Sequence, residues 1–521
     1  MTLARLRFAL PSITALVAAL ALHGAPAAAA GGTLTWGKQA EVLSFNPQRS
    51  GDGTSWDLFY LVYEQLLTTD DEGHLAPSLA ERWEQLSPLS YRFHLRPGAG
   101  FSNGRPVVAD DVVGSLKRMI DPKTIGPWGK QLGDITAIVA EDDRTVRVDF
   151  GMPNPAFLAL MAISPFSIVP IKEIEDGSFD ITKGLLGSGP FMVTEHLQDQ
   201  SWTLARNPHY GRGDRPALDG FVIRVMPNEA ARIAALRSGQ IDVATFDSAD
   251  TPALLRGIKG VKLTKQATPN YYRLDVNAVQ DSSPMKDLRV RQAMHYALDR
   301  EAIARIVFGG ESHPETPIPL ALANGACGTD PFYTLPRAER LARARALLKE
   351  AGKEGVEVGV IGAAALSTYS LIAQTVQSSL NEAGFKAHVE KIQTAEWYQR
   401  VFVKEPKFDI AVSWYAGFGD PAIVLHWWTP DGMKGWADGY TVPDDRLTAA
   451  IGQIRTLDNG PARTAALGEA CRLIDEDSNV IALVDKPDYV AYRDDLVDVR
   501  FAPREANFRM FKYADSFARR K

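Results

Sequence analysis

The residues best suited to recognition chemistry lie between Phe408 and Trp436, FDIAVSWYAGFGDPAIVLHWWTPDGMKGW. Trp414, Tyr415, Phe418 and Trp427 offer broad apolar faces, which hold a guest by contact at low entropic cost. Between them Ala416-Gly417-Phe418-Gly419 is a small-residue turn that lets backbone approach a ligand closely. Asp420-Pro421 then opens a helix, with Asp as cap and Pro in the first turn, so Asp420 has a structural use of its own. The same rings could equally fill a core, and the sequence leaves that open residue by residue. The chemistry on offer is binding. No phosphate loop, H-E-x-x-H, G-x-S-x-G or paired-Cys zinc spacing occurs. The nine histidines are scattered without an i, i+4 pair, and His426 beside the aromatic stretch reads as a hydrogen-bonded wall residue. No catalytic residue, metal or cofactor is expected. A secreted hydrolase would need a nucleophile or a paired-acid motif that this chain does not show.

The aromatic stretch must be held by a scaffold, and the flanking pattern supplies one. Apolar runs over 356–361, 386–393 and 408–414 alternate with amphipathic helices over 370–383 and 396–403, which argues an α/β lobe. Further helices are expected over 341–351, 444–455 and 461–475, and a strand over 480–484. Upstream, 33–37 reads as a strand, and a helix opens at Ser55 with Trp56, Phe59, Tyr60, Tyr63 and Leu67 at helical spacing. A hairpin is expected from 135–140 and 145–150, and strands over 202–206, 221–225 and 241–243. Asn228 caps a helix that Gly239 ends. Ala267-Thr268-Pro269-Asn270 and Lys486-Pro487-Asp488 are the two places where the chain would cross between lobes. Tyr271 and Tyr272 follow the first, and strand pleating lets only one of them face the gap.

Length and charge bound the rest. A chain of 521 residues suggests two to four domains. Net charge is −6 with no basic stripe, which excludes a nucleic-acid partner. Arg5 and Arg7 precede an apolar run from Phe8 to Leu22 and then Ala25-Pro26-Ala27-Ala28-Ala29-Ala30, the form of a cleavable secretory signal. The mature chain is therefore expected free in the periplasm. In that oxidising compartment Cys327 and Cys471 could pair, or Cys471 could sit as a separate buried thiol.

Four pieces in order over about sixty residues carry a resemblance. They are Tyr63-Glu64-Gln65-Leu66-Leu67, Pro77 to Trp83, Phe93 to Gly104, and Ala109 to Val112. They resemble the N-terminal signature of the solute-binding proteins that serve ABC importers of peptides and nickel. Gly187-Ser188-Gly189-Pro190-Phe191, Arg206-Asn207-Pro208-His209-Tyr210, "AALRSGQIDV" and "DLRVRQAMHYALDREAI" are similar to later motifs of the same family. Gly211 stands where a Trp is usual. The resemblance implies a two-lobed α/β periplasmic-binding-protein fold of the hinged-clamp type. Its divisions would be a signal peptide to 30, a first lobe over 31–66, 185–269 and 487–521, an extra domain over 67–184, and a second lobe over 270–486. It implies a monomer that captures di- or oligopeptides and delivers them to a permease with its ATPase. Ligand contacts are expected from Gly51, Asp52 and Gly53, and from Tyr271, Tyr272, Trp397, Trp414, Tyr415, Gly417, Phe418, Asp420 and Trp427. The 49–54 loop reads equally as an ordinary connection.

The resemblance also shows gaps. Oligopeptide-binding members carry an Asp where Gly417 stands, and it grips the peptide's α-ammonium. An Arg used for carboxylate contact falls at Ala411, and the Arg of dipeptide-binding members has no counterpart in Ser367 to Ser370. Asp52, Arg49, Arg400 or Lys404 would have to substitute. A non-peptide guest, such as an opine, sugar conjugate, haem or metal chelate, is therefore the alternative.

Overall fold

The computed structural model describes residues 31–50, 53–124, 126, 128–246, 248, 250–266, 268–363, 367–434, 437–501 and 510–520. The expected signal segment, Gly51 and Asp52 lie outside the described residues. Two sheets carry the molecule. A seven-stranded sheet runs Val261–Gln266, Asp488–Arg493, Val243–Phe246, Thr33–Lys38, Gly220–Val225, Ser201–Arg206, Phe191–Leu197. A five-stranded sheet runs Lys386–Ile392, Glu357–Ala363, Ile410–Tyr415, Tyr271–Val276, Val480–Asp485. A separate four-stranded antiparallel sheet, Ala80–Ser87, Ser90–Leu95, Thr145–Phe150, Ile135–Asp142, stands apart from both. This is the two-lobed α/β clamp that the motifs implied.

Local chemistry explains the elements. Tyr91, Phe93 and Leu95 are buried while Arg92 and His94 between them are partly exposed, the period of a sheet with one dry face. In the helix Ala109–Ile120, Asp111 is nearly fully buried and accepts the Val108 N–H at 3.1 Å. Arg105 forks onto the same carboxylate with two bonds of 2.8 Å, so charge at the helix start is paired as well as dipole-stabilised. In Glu229–Ser238 the Asn228 side chain accepts from Ala231 N–H, and Gly239 closes the helix at φ 75°.

Three boundaries differ from the periodicity. The helix opening near Ser55 spans Gly53–Val62 and stops before Leu67. Glu64 and Gln65 give their carbonyls to Ile168 and Leu79 instead, and the Leu67 N–H goes to the Met161 carbonyl. Tertiary bonds thus replace helical ones. The strand expected at Ile241 begins at Val243. The segment 77–83, read as one motif, is divided between the strands Leu75–Pro77 and Ala80–Ser87.

Cys327 and Cys471 are joined, with Cα atoms 5.7 Å apart across 144 residues of chain. The bond ties the loop after Leu320–Ala323 to the long helix Pro461–Asp477. Arg289 and Arg291 are structural, paired with Asp287 at 2.7 Å and Asp477 at 2.8 Å.

Candidate ligand cleft and its hinge

The two large sheets are joined by one narrow antiparallel ribbon. Gln266 pairs with Asp488 at the edge of the seven-stranded sheet, and Tyr271 pairs with Asp485 in the five-stranded one. Between these pairs, among the described residues, the chain crosses through 268–270 and 486–487. The ribbon is bonded to itself. Lys486 N–H donates to the Asn270 carbonyl at 2.8 Å, and Thr268 Oγ1 donates to the Lys486 carbonyl at 3.1 Å. Asn270 is fully buried. Its amide donates to Asp488 at 3.1 Å, and its Oδ1 accepts the Gly417 N–H at 3.2 Å. The Lys486 ammonium pairs with Asp488 and sits 5.4 Å from the centre of the Trp414 ring. So one polar network joins both crossovers to the aromatic loop. A hinge of this kind needs only a few backbone torsions to change.

The predicted contact residues are divided by the pleat. Tyr272 pairs with Trp414, and Tyr271 with Tyr415, on opposite faces of the five-stranded sheet. Tyr271 is fully buried, donates its hydroxyl to the Pro317 carbonyl at 2.9 Å and packs on Tyr415. Tyr415 donates to the Val424 carbonyl at 2.6 Å. Both rings therefore lie in a core. Tyr272 is also buried and contacts Phe308 and Tyr369. Trp414 is the half-buried residue of an otherwise buried strand. Trp397 packs against Tyr369, its indole nitrogen buried without a hydrogen-bond partner.

Gly417 has no room for a side chain: a Cβ there would lie 2.4 Å from the Pro269 carbonyl oxygen. Asp420 is held by a fork from Arg463, at 3.0 and 2.7 Å, while it caps Ala422 N–H at 2.8 Å. Its lone pairs serve the loop. Phe418 and Trp427 do meet other cleft rings, but through residues that sequence reasoning passed over as ligand contacts. Phe418 lies 5.7 Å from Trp56 and 5.2 Å from Trp128, and Trp427 lies 6.0 Å from Trp128. Gly53 begins the helix that carries Trp56. Of the proposed charged substitutes, Arg49 and Lys404 are exposed, and Arg400 pairs with Glu390 at 2.9 Å. The signal for Trp128 was a lone large aromatic in a Gly- and Pro-rich loop, where a core position is unusual. His426 is buried with Nδ1 unpartnered, and burial pushes its pKa down to about 4. Among the described residues no group of three His, Cys, Asp or Glu is placed to hold a metal.

The match to known proteins decides the family. The model for bacterial extracellular solute-binding proteins, family 5, matches residues 74–436. This chain belongs to that family. Among its relatives is the periplasmic oligopeptide-binding protein OppA of Salmonella typhimurium, 26% identical over 486 residues, 86% of each chain. Another is the "Probable deoxycholate-binding periplasmic protein YgiS" of Escherichia coli, 28% identical over 330 residues. That match spans 59% of this chain and 61% of YgiS, less than two thirds of its length. A solved structure, the binding protein AgaA of A. tumefaciens R10 in complex with agropinic acid, superposes with a TM-score of 0.79 at 22% identity. It covers 94% of this chain and 99% of that one, which shows the shared fold. No helix of the described residues is long and apolar enough to cross a membrane.

Beside the hinge of this family 5 protein, Glu315 carries a pH effect. It is buried, and its N–H donates to the Leu483 carbonyl at 3.1 Å on the strand that enters the ribbon. Burial raises its pKa from 4.5 to about 7, against bonds from the Leu320 and Thr316 N–H groups, with the nearby Asp485 carboxylate adding to the rise. The folded state thus binds this proton more tightly than the unfolded chain. The stabilisation is full below pH 4.5 and is lost as pH rises to about 7, an effect of up to about 3 kcal/mol. Glu315→Gln should therefore melt higher than the parent at pH 8 and nearly with it at pH 4.5. Equal differences at both pH values, read by calorimetry, would contradict the buried proton.

Proposed function

We propose that this protein is the periplasmic substrate-binding component of an ABC importer, closing on di- or oligopeptides and handing them to the membrane permease. The observation that carries the reading is the single paired ribbon between two sheets, with the half-buried Trp414 and the Lys486 network at its edge. Contacts to both lobes favour the closed form, and a micromolar guest supplies about 8 kcal/mol with which to bias the hinge. No bond need be made or broken. The working divisions are 31–66, 185–269 and 487–521 for the first lobe, 67–184 for the extra domain and 270–486 for the second. The chain acts as a monomer after removal of residues 1–30.

A non-peptide guest is the second reading, and Gly417 favours it. With Pro269 against it, this position can carry no anchoring carboxylate. One relative is named for deoxycholate, and a neighbour in fold was solved with agropinic acid. A thermal-shift screen separates the two, because a guest at 100 times its dissociation constant adds about 2.7 kcal/mol. Stabilisation by di- to pentapeptides supports peptide capture, and stabilisation only by organic acids or sterol acids replaces it. Turnover of any of them would end the reading as a binding protein without chemistry.

Trp414 gives the direct test at the site. Trp414→Ala should weaken the guest found in that screen tenfold or more, about 1.4 kcal/mol, and leave the melting point of the empty protein within a few degrees. Titration calorimetry and an unliganded melt measure the two parts. A large fall in the melt with unchanged affinity would make Trp414 core filling.

A further inference from the structure

Four rings from three stretches of chain meet across the gap between the lobes. Trp56 comes from the helix Gly53–Val62, Trp128 from the loop ahead of Gly129–Leu132, and Phe418 and Trp427 from the other side of the ribbon. Trp128 is the centre: its ring lies 5.3 Å from Trp56, 5.2 Å from Phe418 and 6.0 Å from Trp427. It is 2% exposed, and its indole N–H donates to the Ser50 carbonyl at 3.2 Å. Two residues on, Lys130 pairs with Asp431 at 2.8 Å, and its carbonyl accepts from Arg455 at 3.3 Å. The wall begins beside the ribbon, where Gly417 is bonded to Asn270, and runs out to that ion pair. Protein, not guest, fills this side of the gap.

We infer that Trp128 is a specificity-determining residue, whose indole sets how far a guest can extend from Trp414 toward the turn Gly129–Leu132. The inference rests on the reading of the protein as a guest-closing clamp and adds a size limit to it. The limit is steric, because the ring is fixed from both lobes at once and has no free direction in which to swing.

The test compares the mature protein with Trp128→Ala and Trp128→Phe by titration calorimetry against peptides of two to six residues. The expected result is a shift of the preferred length upward by at least one residue in the alanine variant. The longest accepted peptides should gain about tenfold in affinity, with phenylalanine between the two. A parallel loss at every length, or unchanged ladders, overturns the inference. If no peptide binds any of the three, peptide capture itself is wrong, and the wall is judged with 1-anilinonaphthalene-8-sulfonate, which brightens in a dry apolar site. Cooperatively melting Trp128→Ala should then enhance the dye at least threefold over the parent, and equal emission overturns the wall. If the alanine variant does not melt cooperatively, the same dye comparison is made with Trp128→Phe, and equality there is equally fatal.

Discussion

Arg273→Leu lowers the unfolding free energy by about 3–5 kcal/mol, the usual effect of stripping one partner from a buried charge pair. Arg273 and Asp275 sit on the strand Tyr271–Val276, both essentially without solvent contact. Their closest approach, Nε to Oδ1, is 3.0 Å but off the N–H axis, and Arg273 Nη2 donates to Asp275 Oδ2 at a long 3.5 Å, so the pair is ionic more than hydrogen-bonded. The guanidinium also lies 5.0 Å over the Tyr415 ring. Burial already raises the Asp275 pKa even with Arg273 present to oppose it. Without the arginine that buried carboxylate keeps only the neutral Tyr440 and Ser413 hydroxyls beside it, and no counter-charge. Urea unfolding at pH 7 measures the loss, and the double change Arg273→Leu with Asp275→Leu should recover most of it. A single variant within 1 kcal/mol of the parent, on the ~1.4 kcal/mol per tenfold scale, would show the pair to be energetically idle.

Reduction of the Cys327–Cys471 bond is expected to remove about 2–5 kcal/mol. The bond closes a loop with a separation of 144 residues, so the open chain regains much freedom when it is cut. Chemical denaturation with and without a phosphine reductant, and of the Cys327→Ala, Cys471→Ala double variant, should give matching losses. Identical midpoints for all three would mean that the surrounding packing holds the loop unaided. Such a bond persists in an oxidising compartment, in keeping with the periplasmic setting of the relatives.

Much of the scaffold could be read from local pattern because local forces decide it. Asn228 and Gly239 delimit a helix through their own backbone needs, and the alternation at Tyr91 to Leu95 follows from one face being dry. The end of the helix at Val62 could not be read this way. The carbonyls that follow, of Glu64 and Gln65, are claimed by Ile168 and Leu79, further along the chain. The site was legible only in part for the same reason. Trp414, Phe418 and Trp427 lie in a run rich enough in aromatics to draw notice. Turn residues mark Asn270 and Lys486-Pro487-Asp488 as crossovers, but nothing local announces the bond that joins Asn270 to Asp488, 218 residues apart. Tyr271 and Tyr272 show the limit most directly: pleating predicts opposite faces, yet which face is a core depends on helices packed there later in the chain.

The ribbon has one more consequence, for ancestry and for engineering. The chain enters the half built on the five-stranded sheet at Asn270 and leaves it at Lys486, and these two residues are directly bonded at 2.8 Å. That half is therefore a cassette with a single doorway, whose ends already meet. Removing it or exchanging it for a relative's would leave the strand order of the remaining sheet unaltered, with no long connection to rebuild. Lineages can revise the guest-facing loops of such a cassette independently of the half that stays behind.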